Sequence, residues 1–193
     1  MSLIILSFDQ SVKRTGYAVY EPPHVGKMLV GSFSCNDGDT LEEKCRFFCT
    51  EVELLFLKWQ PAAVFWERAF LHIQQHKPKQ KDDLGGRVPT PSFNVSPDQL
   101  ILHDLQGHIR HAAWARRKPH ESVDPKTWRA RVLKNGNLKR DEAKKAAMDH
   151  CAMLRIRVDN ADEAEAACIA LYGESSDTFR ALRVKAAARG NKP

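Results

Sequence analysis

LIILSFDQSVKRTGYAVY, residues 3–20, is the stretch on which the fold turns. Its first seven residues are almost continuously apolar, the pattern of a strand covered on both faces. Asp9 closes that run, VKRTG turns the chain, and GYAVY (16–20) begins a second strand. A carboxylate at the end of a buried strand is costly unless a cation or a donor compensates it. Asp also commonly leads a strand into a turn, so Asp9 alone leaves both readings open.

Outward from this pair the pattern continues as α/β. Pro22, Pro23 and Gly26 mark a turn, and MLVGSFS (28–34) gives a third strand of an antiparallel meander. Thr40 and Glu43 have capping-box spacing. Leu41, Cys45, Phe48, Val52, Leu55 and Trp59 then make one apolar helical face, ended by Pro61. AAVFWE (62–67) is a short apolar strand closed by Glu67. Residues 71–97 hold four prolines and the pair Gly85–Gly86, which argues against regular structure; a loop of that length is usually functional or mobile. Helical periodicity resumes over 98–116, where Gly107 suggests close packing. ESVD (121–124) reads as an edge strand, and 126–132 and 140–154 read as helices. The last helix spans about 160–172 and stops at Gly173, followed by a frayed tail. The expected organisation is one domain, 1–175, carrying the 71–97 insertion, with a basic tail over 176–193.

The chain has 193 residues, 42% hydrophobic and 28% charged, as in a globular protein with a real core. No apolar run has bilayer length, and MSLIILSFD lacks the basic flank of a signal peptide, so a cytoplasmic protein without a membrane partner is expected. Five cysteines without CxxC spacing are read as free thiols. The formal net charge is +6 and is unevenly spread. Arg110, Arg116, Arg117, Lys118, Lys126, Arg129, Arg131, Lys134, Lys139, Arg140, Lys144 and Lys145 crowd one segment, and the tail adds further basic residues without an acid after Asp177. Such clustering attracts a polyanion, although a solvated basic face would look the same.

Asp159 and Asp162 flank the start of the last helix. Acids there favour the helix dipole, and Asn160 with Glu163 forms a capping pair. Their spacing also places both near one helical face. Ala161, Ala164, Ala166, Ala167 and Ala170 would let that helix approach a sheet closely. Beside strands one and four it would bring Asp9, Glu67, Asp159 and Asp162 together. Two hard divalent ions roughly 4 Å apart, bridged by Asp9, would suit such a set, and oxygen ligands favour Mg²⁺ or Mn²⁺ over zinc. His72 and His76 have zinc-ligand spacing but no HExxH glutamate. GxSxG, Walker A and GxGxxG signatures are missing, so no nucleotide cofactor is expected.

FDQSVKRTGYAVY (8–20), FWERAF (65–70) and DNADEAEAACIAL (159–171) together resemble RuvC-like Holliday junction resolvases of the ribonuclease H and retroviral-integrase superfamily. The three motifs occur in order over residues 4–172. The resemblance implies a ribonuclease H-like fold, a mixed five-stranded sheet flanked by helices. It implies a homodimer making paired, symmetrical nicks in a four-way DNA junction, with Asp9, Glu67, Asp159 and Asp162 as metal-binding catalytic acids. Phe70 matches an aromatic that stacks at the crossover, and Lys126 a DNA-contacting lysine; Lys139 or Arg140 would fill a second such role. Arg116 and Arg117 are further DNA-binding candidates from the basic segment. The long 67–107 stretch, the reduced KNGN segment, and Glu163 and Glu165, either of which is an alternative ligand, mark a divergent branch of viral or phage type. Such a protein would work in the cytoplasm, at the nucleoid or in a host. The alternatives are a ribonuclease H-fold nuclease for flaps or RNA–DNA hybrids, and a non-catalytic basic DNA-binding protein.

Overall fold

Residues 3–69, 74–76, 92–94 and 97–190 are described by the structure, a computed structural model. Strands β1 (Ile5–Asp9), β2 (Arg14–Tyr20) and β3 (Leu29–Ser34) form the expected antiparallel meander. Thr40 caps helix α1 (Leu41–Trp59): its Oγ1 accepts from the Glu43 amide, and the Glu43 carboxylate accepts from the Thr40 amide at 2.8 Å. Strand β4 (Ala63–Glu67) returns parallel to β1. Two three-residue strands, β5 (Gln74–His76) and β6 (Ser92–Asn94), pair antiparallel within the stretch read as irregular. The prolines that spoke against order there, Pro78, Pro89, Pro91 and Pro97, all lie outside these two strands.

Helix α2 (Pro97–Ala115) begins on a proline, whose missing N–H costs nothing in a first turn. Strand β7 (His120–Val123) then lies parallel to β4 as an edge. Helix α3 (Pro125–Trp128) runs into a π-helical turn over Arg129–Leu133, followed by α4 (Arg140–Met153) and α5 (Ala161–Glu174). The main sheet is mixed and five-stranded, in the order β3-β2-β1-β4-β7, and helices flank it on both faces. Among the described residues, no helix is long and apolar enough to cross a membrane.

The residues after Gly173 differ from the expected frayed tail. They form helix α6 (Asp177–Gly190), whose start is capped by Ser176 Oγ accepting from the Phe179 amide. Phe179 is buried in the core and Leu182 packs against it, so a short apolar stripe hidden among arginines docks this helix. Glu121 of β7 ties it down, accepting from Tyr172 and Thr178 hydroxyls.

Strand alternation sorts the core. From β1 and β4, Leu6, Phe8, Val64 and Trp66 pack toward α1 and α2. Ile5, Ala63 and Phe65 pack toward α4 and α5, and Ser7 on that same face donates to the Ala166 carbonyl of α5 at 2.7 Å. Period-two geometry therefore sends Asp9 and Glu67, the last residues of β1 and β4, to the α5 face. Parallel pairing of Phe8 with Trp66 makes them neighbours one step further on.

Helix α5 is buried nearly all round, from Glu163 to Ala170 and at Tyr172 and Gly173. Its first turn rests on Gly16 of β2, where a Cβ would lie 2.1 Å from the Asp162 carbonyl oxygen and 2.8 Å from the Glu163 amide nitrogen. Gly107 is the reverse: it is exposed in α2, and among the described residues nothing lies within 4 Å of where its Cβ would be, so the expected close packing is not there.

These two glycines should respond oppositely to alanine. Gly16→Ala should cost about 3 kcal/mol or more, because backbone rather than a flexible side chain would have to move. Gly107→Ala should raise stability by about 0.5–1 kcal/mol by restricting the unfolded chain. Thermal or urea unfolding of both variants measures this, and equal effects would contradict it.

Candidate metal centre

Asp9, Asp162 and Glu165 each offer a carboxylate oxygen to one small volume, all within 4.8 Å of one another. Glu165 is buried, whereas Asp9 and Asp162 keep partial exposure, as a site reached from solvent needs. The cluster lies at the C-terminal edge of the parallel strands β1, β4 and β7, where open α/β sheets present their ligand crevices. Glu67 stands beside it. Its carboxylate accepts from Trp128 Nε1 at 2.8 Å and lies 3.8 Å from Arg129, while Gln10 Nε2 donates to its carbonyl at 2.6 Å.

Asp159 is not brought into this group. It is exposed and precedes the N-cap residue Asn160, so it lies outside the helix. Glu165 takes the place that the spacing argument gave to Asp159, since Asp162 and Glu165 are three residues apart inside α5 and share its face. Of the two extra acids, Glu163 is a brace: its oxygens accept from Ser32 Oγ, Asn160 Nδ2 and the Asp159 amide at 2.8–2.9 Å. The reciprocal half of the expected Asn160–Glu163 cap thus goes to the Asp159 amide.

Two cations hold these acids together. Lys144 of α4 donates to Asp162 at 2.7 Å, and Arg129 donates to Glu165 at 3.3 Å while facing Glu67. Arg14, half exposed, approaches Asp162 at 4.0 Å. Lys144 and Arg129 were visible in the sequence only as members of a basic run. Burial, then the charges of Glu67, Glu165 and Asp162, push the Asp9 carboxyl well above its usual range against Lys144. Burial raises Glu67 too, against the Trp128 hydrogen bond and Arg129. Glu165 is pushed up to about 7 by burial and then by Glu67, with Arg129 and Lys144 opposing. Burial alone would lower Lys144, but its hydrogen bond to Asp162 and the surrounding acids raise it. Carboxyls so crowded gain from an added cation, and a set of hard oxygen donors fits Mg²⁺ or Mn²⁺.

The basic candidates separate in space. Lys126, exposed on α3, follows β7, whose Val123 pairs with Glu67. Lys139 and Arg140 begin α4 about one turn before Lys144. All three belong to the carboxylate edge. Arg116 and Arg117 do not. They precede His120, which pairs with Val64 at the start of β4, and so occupy the opposite edge. Arg116 is further engaged by Glu53, by the Ala112 carbonyl at 3.2 Å and by the Phe56 ring at 5.2 Å. Arg117, at φ 54°, closes the end of α2. Phe70 and His72 lie outside the described residues, as does the His76 side chain. All five cysteines are free.

No family profile and no curated protein sequence matches the chain. Solved structures do. The Thermus thermophilus RuvC structure is 14% identical with a TM-score of 0.59, over 88% of this chain and 92% of that one. T. thermophilus RuvC in complex with Holliday junction substrate is 15% identical with a TM-score of 0.60, over 88% and 90%. The yeast mitochondrial Holliday junction resolvase Ydc2 is 15% identical with a TM-score of 0.52, over 88% and 76%. The chain therefore has the ribonuclease H-like fold of these proteins.

The raised Glu165 carboxyl fixes the sign of a pH effect. A group near pKa 4.5 when unfolded and about 7 when folded takes up protons on folding between those values. The metal-free protein then loses stability as pH rises through that window. In chelator, Glu165→Gln should raise Tm relative to the parent more at pH 8 than at pH 5. Excess Mg²⁺ should stabilise the parent most at pH 8. A pH-independent difference in thermal unfolding would contradict this.

Proposed function

We propose that the chain is a divalent-metal-dependent endonuclease that resolves four-way DNA junctions by paired nicks, acting as a homodimer. The observation that carries the reading is the convergence of Asp9, Asp162 and Glu165 at the crevice edge of a fold shared with RuvC. One neighbour is described as bound to a Holliday junction substrate, and another as a Holliday junction resolvase.

In this reading Asp9, Asp162 and Glu165 hold Mg²⁺ or Mn²⁺, with Glu67 beside them. The ion would supply a lowered water pKa and neutralisation of charge on phosphate oxygens. Lys144 fixes the Asp162 carboxylate in orientation, and Trp128 and Arg129 do the same for Glu67. Lys126, Lys139 and Arg140, on the same edge, lower the cost of bringing a phosphodiester toward a nest of acids. Water attacks in line, the P–O3′ bond breaks, and the products carry 5′-phosphate and 3′-hydroxyl ends. A two-fold protein suits a two-fold junction. Leu105, Ile109, Ala112 and Ala113 of α2 are core, which leaves Leu100 and Trp114 as that helix's exposed apolar residues for a dimer contact.

The test is cleavage of labelled four-way junction, flap and RNA–DNA hybrid with Mg²⁺, Mn²⁺ or chelator. Paired nicks near the crossover, absent in chelator, are expected. Asp9→Asn and Glu165→Gln should each lose about a thousand-fold in rate, the worth of several kcal/mol of charge stabilisation, while still binding the junction. Asp159→Asn, outside the cluster, should lose less than about ten-fold. Equal or faster cutting of the hybrid would replace the junction reading with that of another ribonuclease H-fold nuclease. Junction binding without cleavage of any substrate would leave only a DNA-binding protein.

A further inference from the structure

One cation is built into the acid cluster. Arg129 lies in the π-helical turn after α3, its side chain mostly buried, with a guanidinium nitrogen 3.3 Å from Glu165 and 3.8 Å from Glu67. Its neighbour Trp128 donates to the same Glu67 oxygen that Arg129 faces. The Arg129 Nε is buried and has no hydrogen-bond partner among the described residues. A buried guanidinium left partly unsatisfied is expensive, and the two carboxylates it faces, Glu165 and Glu67, offset that cost. The oxygens close enough to share one ion come from Asp9, Asp162 and Glu165. Glu67, the fourth acid, is already claimed by Trp128 and Arg129. Four carboxylates against Arg129 and Lys144 leave a surplus that one divalent ion balances, with Arg14 only at the rim.

We propose that Arg129 is a positioning residue that stands in for one of the two divalent ions expected from the sequence. The DNA-free protein then holds a single ion at Asp9, Asp162 and Glu165, while Glu67 stays tied to Arg129 and Trp128. This rests on the metal-site reading above but not on any DNA cleavage.

Mn²⁺ titration of the DNA-free full chain at pH 8, by calorimetry and by the electron-spin signal of free Mn²⁺, tests it. The parent should bind one ion per chain. Arg129→Gln should either bind a second ion or bind the first at least about ten-fold tighter, since a like charge has been removed nearby. Arg129→Lys should restore single-ion behaviour. Glu67→Gln should still bind one ion, weakened by no more than about ten-fold, the effect of losing a neighbouring charge rather than a ligand. Two equivalent ions on the parent, or a large loss of affinity in Glu67→Gln, would overturn the proposal even if Arg129→Gln does not fold. A folded Arg129→Gln with unchanged number and affinity would overturn it as well. A chain that binds one ion yet cuts no junction keeps this proposal and loses the nuclease reading.

Discussion

Where β2 passes beneath the first turn of α5, backbone meets backbone with no side chain between them. Gly16 is paired with Asp9 across the β1–β2 ladder and touches the Asp162 peptide from below. One close approach therefore links the strand carrying the first acid to the helix carrying two more. The alanine-rich face of α5 extends the contact down the sheet, and Ser7 pins it through the Ala166 carbonyl. Any residue larger than glycine at position 16 would lift the N-terminus of α5 away from the sheet. A shift of about 1 Å, enough to relieve that contact, would move Asp162 and Glu165 relative to Asp9.

That proximity creates an electrostatic problem, which the surrounding elements answer. Burial drives Asp9, Glu67 and Glu165 toward their neutral forms, and the charge of Glu67 adds to the push on Asp9 and Glu165. The compensation comes from two separate elements: Lys144 reaches in from α4 and Arg129 from the turn after α3. Because α3 begins directly after β7, and β7 is registered against β4, Trp128 and Arg129 are delivered to Glu67 by sheet pairing rather than by a flexible loop. Sheet register and charge compensation are thus one constraint. A slip of β7 would take the Trp128 hydrogen bond and the Arg129 charge away from the Glu67 carboxyl.

The sheet, its order of elements and two of its acids were legible because they follow from local rules. Apolar runs of five residues ending in an acid, with period-two alternation, are enough to place Asp9 and Glu67 on one face. Asp159 stands apart from the three clustered acids for a specific reason. Helical spacing does not cross the N-cap: Asn160 at φ −153° is extended and Asp159 precedes it. The i, i+3 rule holds only from Asp162 onward, where it selects Glu165. Arg129 was unreadable because it sits in a π-helical turn that breaks the 3.6-residue period. The internal partners of Arg116, Glu53 and Phe56, are some sixty residues away in sequence and leave no local signal. Helix α6 was missed because Phe179 and Leu182 are few among many charges.

Counting the basic segment as one unit concealed its geometry. Its first part, Arg116 and Arg117, ends α2 at one edge of the sheet, and β7 then carries the chain across to the other edge before Lys126, Lys139 and Arg140 appear. A polyanion approaching the carboxylates meets a locally negative crevice, whatever the overall charge of +6. Screening over about 8 Å at physiological salt removes most help from charges on the far edge. Attraction at the crevice must come from the near group and from whatever cation the acids hold. Metal binding and anion binding at this edge would therefore be coupled: each ion taken up would make the next phosphate less costly, and each phosphate would make the ion harder to release.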